Sequence, residues 1–116
     1  FMSWPYKNKP EMQEMLEKEF FKASKLNNLR LIPAGQAFLH INQNFPNINL
    51  YTKDLRHPSK EGTYLAALMV FTSLSNKSPI GNTFMMGLDP EVAEILQKVA
   101  WMTYLDFQKR IMDFGL

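Results

Sequence analysis

The chain has 116 residues, of which 46% are hydrophobic, so it is long enough to form one globular domain with a buried core. Thirteen basic and eleven acidic side chains give a net charge of +2, spread along the chain, which disfavours a nucleic-acid partner. The absence of cysteine excludes disulfides, thiolate nucleophiles and zinc–cysteine sites. No apolar run reaches the roughly 20 residues that span a bilayer, so no membrane span is predicted.

Two short apolar segments are typical of buried strands. Phe1-Met2-Ser3-Trp4 is stopped by Pro5, and Leu29-Arg-Leu-Ile32 is ended by Pro33. A free terminus would gain nothing from exposing such apolar residues, so we expect an N-terminal part of the domain to precede the first segment. The second leads directly into a helical pattern, and a strand that feeds a helix predicts an α/β fold.

Four helices are predicted in chain order. The first begins near Pro10, the second follows Pro33, the third begins at Lys60 behind the capping residue Ser59, and the fourth begins at Asp89-Pro90-Glu91. A loop containing proline and glycine separates the last two helices. The apolar positions at helical spacing are Met12, Met15, Leu16, Phe20 and Ala23, then Ala34, Ala37, Phe38, Ile41 and Phe45, then Tyr64, Leu65, Leu68, Met69, Phe71 and Leu74, then Val92, Ile95, Leu96, Val99 and Met102.

The segment before the third helix contains a carboxylate three residues ahead of an imidazole, Asp54 and His57. A carboxylate can fix the tautomer of a histidine and stabilise its imidazolium form, which is the arrangement of a catalytic base and its orienting acid. Pro58 restricts His57 to an extended conformation at the start of a helix. A polar turn with no catalytic role is the alternative for this pair. A metal site that adds His40 is a weaker one, because the spacing matches neither HxH nor HExxH.

The block Asp54-Leu-Arg-His57-Pro-Ser-Lys-Glu-Gly62-Thr-Tyr-Leu-Ala-Ala67 resembles the last conserved block of the SGNH (GDSL-type) hydrolases. Residues 1–4, 32–37 and 74–79 resemble the segments around this block in a bacterial, largely uncharacterised branch of that superfamily. The resemblance implies the C-terminal portion of a three-layer α/β/α domain with a parallel sheet, mostly helical in this portion. Residues 1–116 would form a single domain whose N-terminal part lies outside the chain.

The resemblance also implies an activity and its residues. His57 would be the general base and Asp54 its orienting acid in a Ser-His-Asp triad that hydrolyses a carboxylic ester. The Gly-Asp-Ser nucleophile block and the oxyanion-hole blocks of the family have no counterpart in this sequence. We therefore expect the nucleophile in an N-terminal half of the same protein, and expect this chain alone to be inactive. Trp4, Tyr51 and Arg56 are candidates for residues that border the substrate.

Family analogy suggests a small-molecule or carbohydrate ester as substrate, an acetyl ester of a carbohydrate as the first to test, and a secreted or periplasmic location. It implies no cofactor and no metal. A hypothesis of another class is a non-catalytic binding or assembly half, which completes a sheet by pairing its exposed edge with a partner chain.

Overall fold

The structure, a computed structural model, describes residues 1–113, which fold into four α-helices. They are α1 (Met12–Asn27), α2 (Ala34–Asn44), α3 (Lys60–Ser75) and α4 (Pro90–Asp113). The four predicted helices are confirmed: Pro33 and the capping residue Ser59 directly precede α2 and α3, Pro90 is the first residue of α4, and α1 begins two residues after Pro10. None of these helices combines the length and the apolar character needed to cross a bilayer.

The predicted α/β fold with a parallel sheet is wrong. Residues 1–113 contain no β-strand, and the molecule is an all-helical compact globule. One backbone hydrogen bond links the two segments that were expected to be strands: Met2 N donates to Ile32 O at 2.9 Å. A second joins the first segment to the start of α2, where Gly35 N donates to Met2 O at 3.1 Å.

The prolines that end the two segments explain why no ladder forms. Pro5 and Pro33 have no N–H group to donate, so neither segment can continue its pairing beyond them. The second segment also turns at once into α2, where Ala34 N donates to Ile32 O at 3.0 Å. The two apolar runs also overstate burial, since Phe1 is 50% and Leu29 55% exposed and only Met2 among these residues is buried. The periodicity of so short a run does not reveal whether it pairs in a sheet.

The core lies between α2, α3 and α4, with the connection between α2 and α3 folded into it. Leu50 and Tyr51 of this connection are as buried as the helical core residues. The helical members of the core are Ala34, Ala37, Phe38, Ile41, Tyr64, Leu65, Leu68, Met69, Ala93, Leu96, Val99 and Ala100. The connection that contains Asp54 and His57 is therefore anchored in the core through Leu50 and Tyr51.

Helix α1 is peripheral to this core. Its fully buried residues are Gln13 and Ser24, whereas Met15, which belongs to the predicted apolar stripe, is 68% exposed. Its contacts with α4 include a stack of Phe21 on Phe107, with ring centres 5.9 Å apart, and an ion pair between Glu17 and Arg110. The apolar stripe of α1 correctly predicted a helix but overstated how much of it is buried.

Candidate active site around Asp54 and His57

Residues 51–58 form a narrow loop that projects from the core immediately before α3. Two backbone hydrogen bonds close its base: Thr52 N donates to His57 O at 2.8 Å, and Ser59 N donates to Leu50 O at 2.8 Å. The chain therefore reverses direction between Thr52 and His57. This reversal brings the side chains of Asp54 and His57 into contact.

The tip of the loop is held in an uncommon backbone conformation. Leu55 has a φ of 62°, in the left-handed region that residues with a Cβ seldom adopt. Its N–H donates to Thr52 O at 3.0 Å, and its carbonyl accepts from Lys7 N at 2.9 Å. Contacts from within the loop and from the N-terminal segment thus fix this conformation, as is usual where a strained residue persists in a fold.

Asp54 accepts hydrogen bonds on both of its carboxylate oxygens. Oδ1 accepts from Thr52 Oγ1 at 2.8 Å, from Arg56 N at 2.9 Å and from His57 N at 3.0 Å, while Oδ2 pairs with His57 Nδ1. The His57 side chain is the largest cause that holds the pKa of Asp54 well below its usual range, followed by the backbone N–H groups of His57 and Arg56 and by the Thr52 hydroxyl. Asp54 is consequently ionised in the pH range where an imidazole acts as a base.

His57 presents its second ring nitrogen to solvent. An ionised carboxylate only accepts hydrogen bonds, so the contact with Asp54 requires a proton on Nδ1 and leaves the lone pair on Nε2. The His57 side chain is 78% exposed, and that of Asp54 is 45% exposed. The pair therefore combines a fixed tautomer with a basic nitrogen that another molecule can reach.

The three candidates for substrate-bordering residues have different environments. Arg56 is exposed, whereas Trp4 is half-buried, stacks on Phe38 with ring centres 4.3 Å apart, and donates from Nε1 to Arg56 O at 2.9 Å. Tyr51 is only 1% exposed, and its hydroxyl donates to Pro5 O at 2.8 Å. Burial raises the pKa of the Tyr51 phenol. Tyr51 is a core residue that supports the loop, and of the three candidates Arg56 is the one open to a substrate.

The helix behind the loop begins as the sequence predicts. Ser59 Oγ accepts from Gly62 N at 3.1 Å and donates to Asn49 O at 2.7 Å, so this hydroxyl both caps α3 and ties it to the preceding segment. Both the donor and the acceptor function of the Ser59 hydroxyl are used in this way. Ser59 therefore serves as a helix cap and does not contact His57.

The structure brings no serine to His57 within residues 1–113. Within these residues, the His57 ring forms a hydrogen bond with Asp54 and with no other side chain. The other histidine, His40, lies on α2 beside Asn44, and residues 1–113 hold no group of three His, Cys, Asp or Glu side chains that could bind a metal ion.

Sequence reasoning missed two residues of the site. Thr52 contacts Asp54 through its hydroxyl, at 2.8 Å from Thr52 Oγ1 to Asp54 Oδ1. Tyr6 lies under the guanidinium of Arg56, at 4.8 Å from ring centre to guanidinium carbon. No local pattern connects two residues so far apart in the chain, so this second contact had no signal in the sequence.

Comparisons with protein-family models, with curated proteins and with solved structures find no match to this chain. The geometry of the Asp54–His57 pair and the resemblance of residues 54–67 are therefore the support for assigning a reaction to the site.

Proposed function

We propose that Asp54 and His57 are the proton-transfer half of an ester-hydrolysing Ser-His-Asp site of the SGNH type, with the serine supplied by a polypeptide segment outside this chain. The observation that carries the proposal is the orientation of His57: Asp54 binds Nδ1, three further donors fix Asp54, and Nε2 faces solvent. The resemblance of residues 54–67 to the family block adds support. The parallel sheet of that family is no part of the proposal, because residues 1–113 form none.

In the proposed reaction, the serine Oγ attacks the ester carbonyl carbon while His57 Nε2 takes the hydroxyl proton. The tetrahedral intermediate then collapses, the bond to the alcohol oxygen breaks, and the alcohol leaves with the proton from Nε2. Water next attacks the acyl-serine as His57 takes one of its protons, and the carboxylic acid departs when that proton returns to serine. Asp54 stays ionised and stabilises the imidazolium in both steps.

The site suits a nucleophile that arrives from another segment. A base must lie within about 3 Å of the oxygen whose proton it removes, so an external serine requires an accessible nitrogen. His57 meets this requirement because its side chain is 78% exposed, and its backbone N–H is bound to Asp54 at 3.0 Å. Rigid placement matters, since an error of about 1 Å in position can cost 100-fold in rate.

The sheet-completing alternative depended on an exposed strand edge. The described part of the chain presents no strand, so no observation in the fold favours that alternative.

The test uses the complete translated product of the gene and para-nitrophenyl acetate as substrate. His57→Ala should lower kcat/KM by about 10²- to 10⁴-fold, the usual contribution of a positioned acid–base group. His40→Ala is the matched control, since it removes the chain's other histidine away from the site, and we expect turnover within about twofold of the parent.

A fluorophosphonate probe tests the nucleophile separately. It should label one serine of the complete product, and labelling should be slower in His57→Ala because the serine has lost its base. A complete product in which no serine reacts, or undiminished ester turnover by His57→Ala, would show that the pair is not the base of such a site.

A further inference from the structure

Arg56 lies between Asp54 and His57 in the loop, and its backbone is fixed on both sides. Its N–H donates to Asp54 Oδ1 at 2.9 Å, and its carbonyl accepts from Trp4 Nε1 at 2.9 Å. Its guanidinium carbon lies 4.8 Å from the centre of the Tyr6 ring, within the range of a cation–π contact. The Arg56 side chain is exposed, and its guanidinium rests on the Tyr6 ring.

The guanidinium of Arg56 has no acceptor within residues 1–113. The chain's other two arginines are occupied, since Arg30 Nη2 donates to Ser73 O at 2.9 Å and Arg110 pairs with Glu17. The described contact of the Arg56 guanidinium is the Tyr6 ring, which leaves its N–H donors available. Asp54, the carboxylate two residues away, is already bound by His57 Nδ1, by the Thr52 hydroxyl and by two backbone N–H groups.

We infer that Arg56 binds a carboxylate of the substrate, so that the ester hydrolysed at His57 is an anion. This inference rests on the proposed function. The planar guanidinium fork matches a carboxylate in a bidentate pair, and a fork that already rests on an aromatic ring loses less conformational freedom on binding. Arg56 and His57 are exposed neighbours in the loop, with Cα atoms about 3.8 Å apart, so a substrate held by Arg56 lies near His57.

Neighbouring charges favour the same class of ligand. Lys53 precedes Asp54 in the loop, and Lys7 is joined to the loop tip through its backbone N–H. Lys7, Lys53 and Arg56 carry three positive charges against the one negative charge of Asp54, so positive charge is in excess among these four side chains. A surface with this excess of positive charge attracts anions and repels cations.

The direct test is a titration of the isotope-labelled chain with benzoate and with its neutral isostere benzamide, followed by nuclear magnetic resonance. Benzoate should shift the Arg56 Nε–H signal to saturation, whereas benzamide should not. Arg56→Gln should weaken benzoate binding about fivefold, the effect of losing an exposed ion pair. Lys53→Gln removes the same charge from the same loop without the fork, and should weaken binding by less than about twofold.

The inference would be overturned if Arg56→Gln left benzoate binding unchanged or if Lys53→Gln weakened it equally. Benzoate would then respond only to the overall positive charge of the surface and not to the guanidinium of Arg56. A carboxylate that shifts signals elsewhere on the chain and leaves Arg56 unaffected would overturn it as well.

A kinetic comparison separates this inference from the proposed function. With the complete gene product, kcat/KM for para-acetoxybenzoate should exceed that for para-acetoxybenzamide by about fivefold, mostly through KM, and Arg56→Gln should bring the ratio close to one. If neither ester is hydrolysed, the hydrolase proposal fails while the benzoate titration still decides the carboxylate site. If both are hydrolysed equally well and benzoate does not contact Arg56, the carboxylate site fails and the hydrolase proposal stands.

Discussion

Asp54 accepts four hydrogen bonds although its side chain is 45% exposed. Water alone could solvate a carboxylate in an exposed turn, so four protein donors go beyond what solvation needs. Their effect is orientation: the three donors on Oδ1 leave Oδ2 aimed at His57 Nδ1. The spacing of the two residues predicted that the pair would meet, and the structure bears out that contact.

The first prediction concerns the charge of Asp54. Asp54→Asn keeps an oxygen for the donors on Oδ1 but places an NH₂ group against His57 Nδ1–H, so the variant should be less stable than the parent near neutral pH. The pKa of Asp54 is lower in the folded parent than in the unfolded parent. On acidification, Asp54 is therefore protonated first in the unfolded state, and the stability of the parent relative to Asp54→Asn declines as pH falls below about 4. It should be lost once pH passes the lowered folded pKa.

Urea unfolding midpoints of parent and Asp54→Asn, measured from neutral pH down through the acid range, check this. Thr52→Val is the comparison variant, because it removes the donor that contributes least to the lowered pKa and should change the pH dependence only slightly. A gap between parent and Asp54→Asn that stays constant with pH would show that the Asp54 charge does not stabilise the fold.

Tyr51 shows what could not be predicted from the sequence at the scale of one residue. It lies three positions before Asp54, and the sequence makes it a candidate for bordering the substrate and equally for a structural residue. Its hydroxyl instead binds Pro5 O and accepts from Asn42 Nδ2 at 3.1 Å, in the core. A tyrosine has an apolar ring and one polar atom, so its location depends on whether a distant partner can satisfy the hydroxyl. Those partners come from other segments.

At the scale of elements, α3 approaches the preceding segment so closely that only glycine fits at position 62. A Cβ on Gly62 would lie 2.2 Å from Leu50 O and 3.1 Å from Pro58 Cβ. Leu50 O is also the acceptor for Ser59 N at the base of the loop of residues 51–58. The close approach of these backbones therefore couples the start of α3 to the loop that carries His57.

Gly62→Ala should destabilise the protein by about 1–3 kcal/mol, because the added methyl group must push the first turn of α3 away from Leu50. Helix propensity alone predicts the opposite sign, since alanine is favoured over glycine in a helix by about 1 kcal/mol. Urea unfolding measures the change. Lys60→Ala, an exposed substitution in the same turn, is the control and should stay within about 0.5 kcal/mol of the parent. A stabilised Gly62→Ala would mean that this close approach is not maintained in solution.

Helices were easier to predict than the pairing of extended segments. Ser59 before α3 and Asp89 before α4 act locally: Asp89 Oδ1 accepts from Glu91 N at 2.9 Å, as its position before a proline suggests. The apolar segments at residues 1–4 and 29–32 carry no such local signal for a partner. Whether they form a sheet depends on which other chain segments lie beside them, and within residues 1–113 helices fill that space.

At the scale of the whole molecule, the four helices contribute unequally to stability. The cluster of buried residues joins α2, α3, α4 and the connection with Leu50 and Tyr51, and it includes no residue of α1. The described contacts that hold α1 to α4 are the Phe21–Phe107 stack, the Arg110–Glu17 ion pair and the Arg110 guanidinium over the Phe21 ring, and Phe107 is their one buried member. Regions with few buried apolar contacts open at a lower free energy than the core. We therefore expect α1 to open while α2, α3 and α4 remain folded.

Native-state hydrogen exchange tests this expectation. Amides in the middle of α1 should exchange through local opening, at a lower free energy than those of α3, which should exchange through global unfolding. Glu17→Gln removes the ion pair with Arg110 and should lower protection in α1 by up to about 1 kcal/mol without changing α3. Glu14→Gln, an exposed substitution on the same helix, is the control. Because His57 is rooted in the connection before α3, its ring signals should be the same in Glu17→Gln and in the parent. Equal loss of protection in α1 and α3 would show instead that α1 unfolds as one unit with α2, α3, α4 and the loop that carries His57.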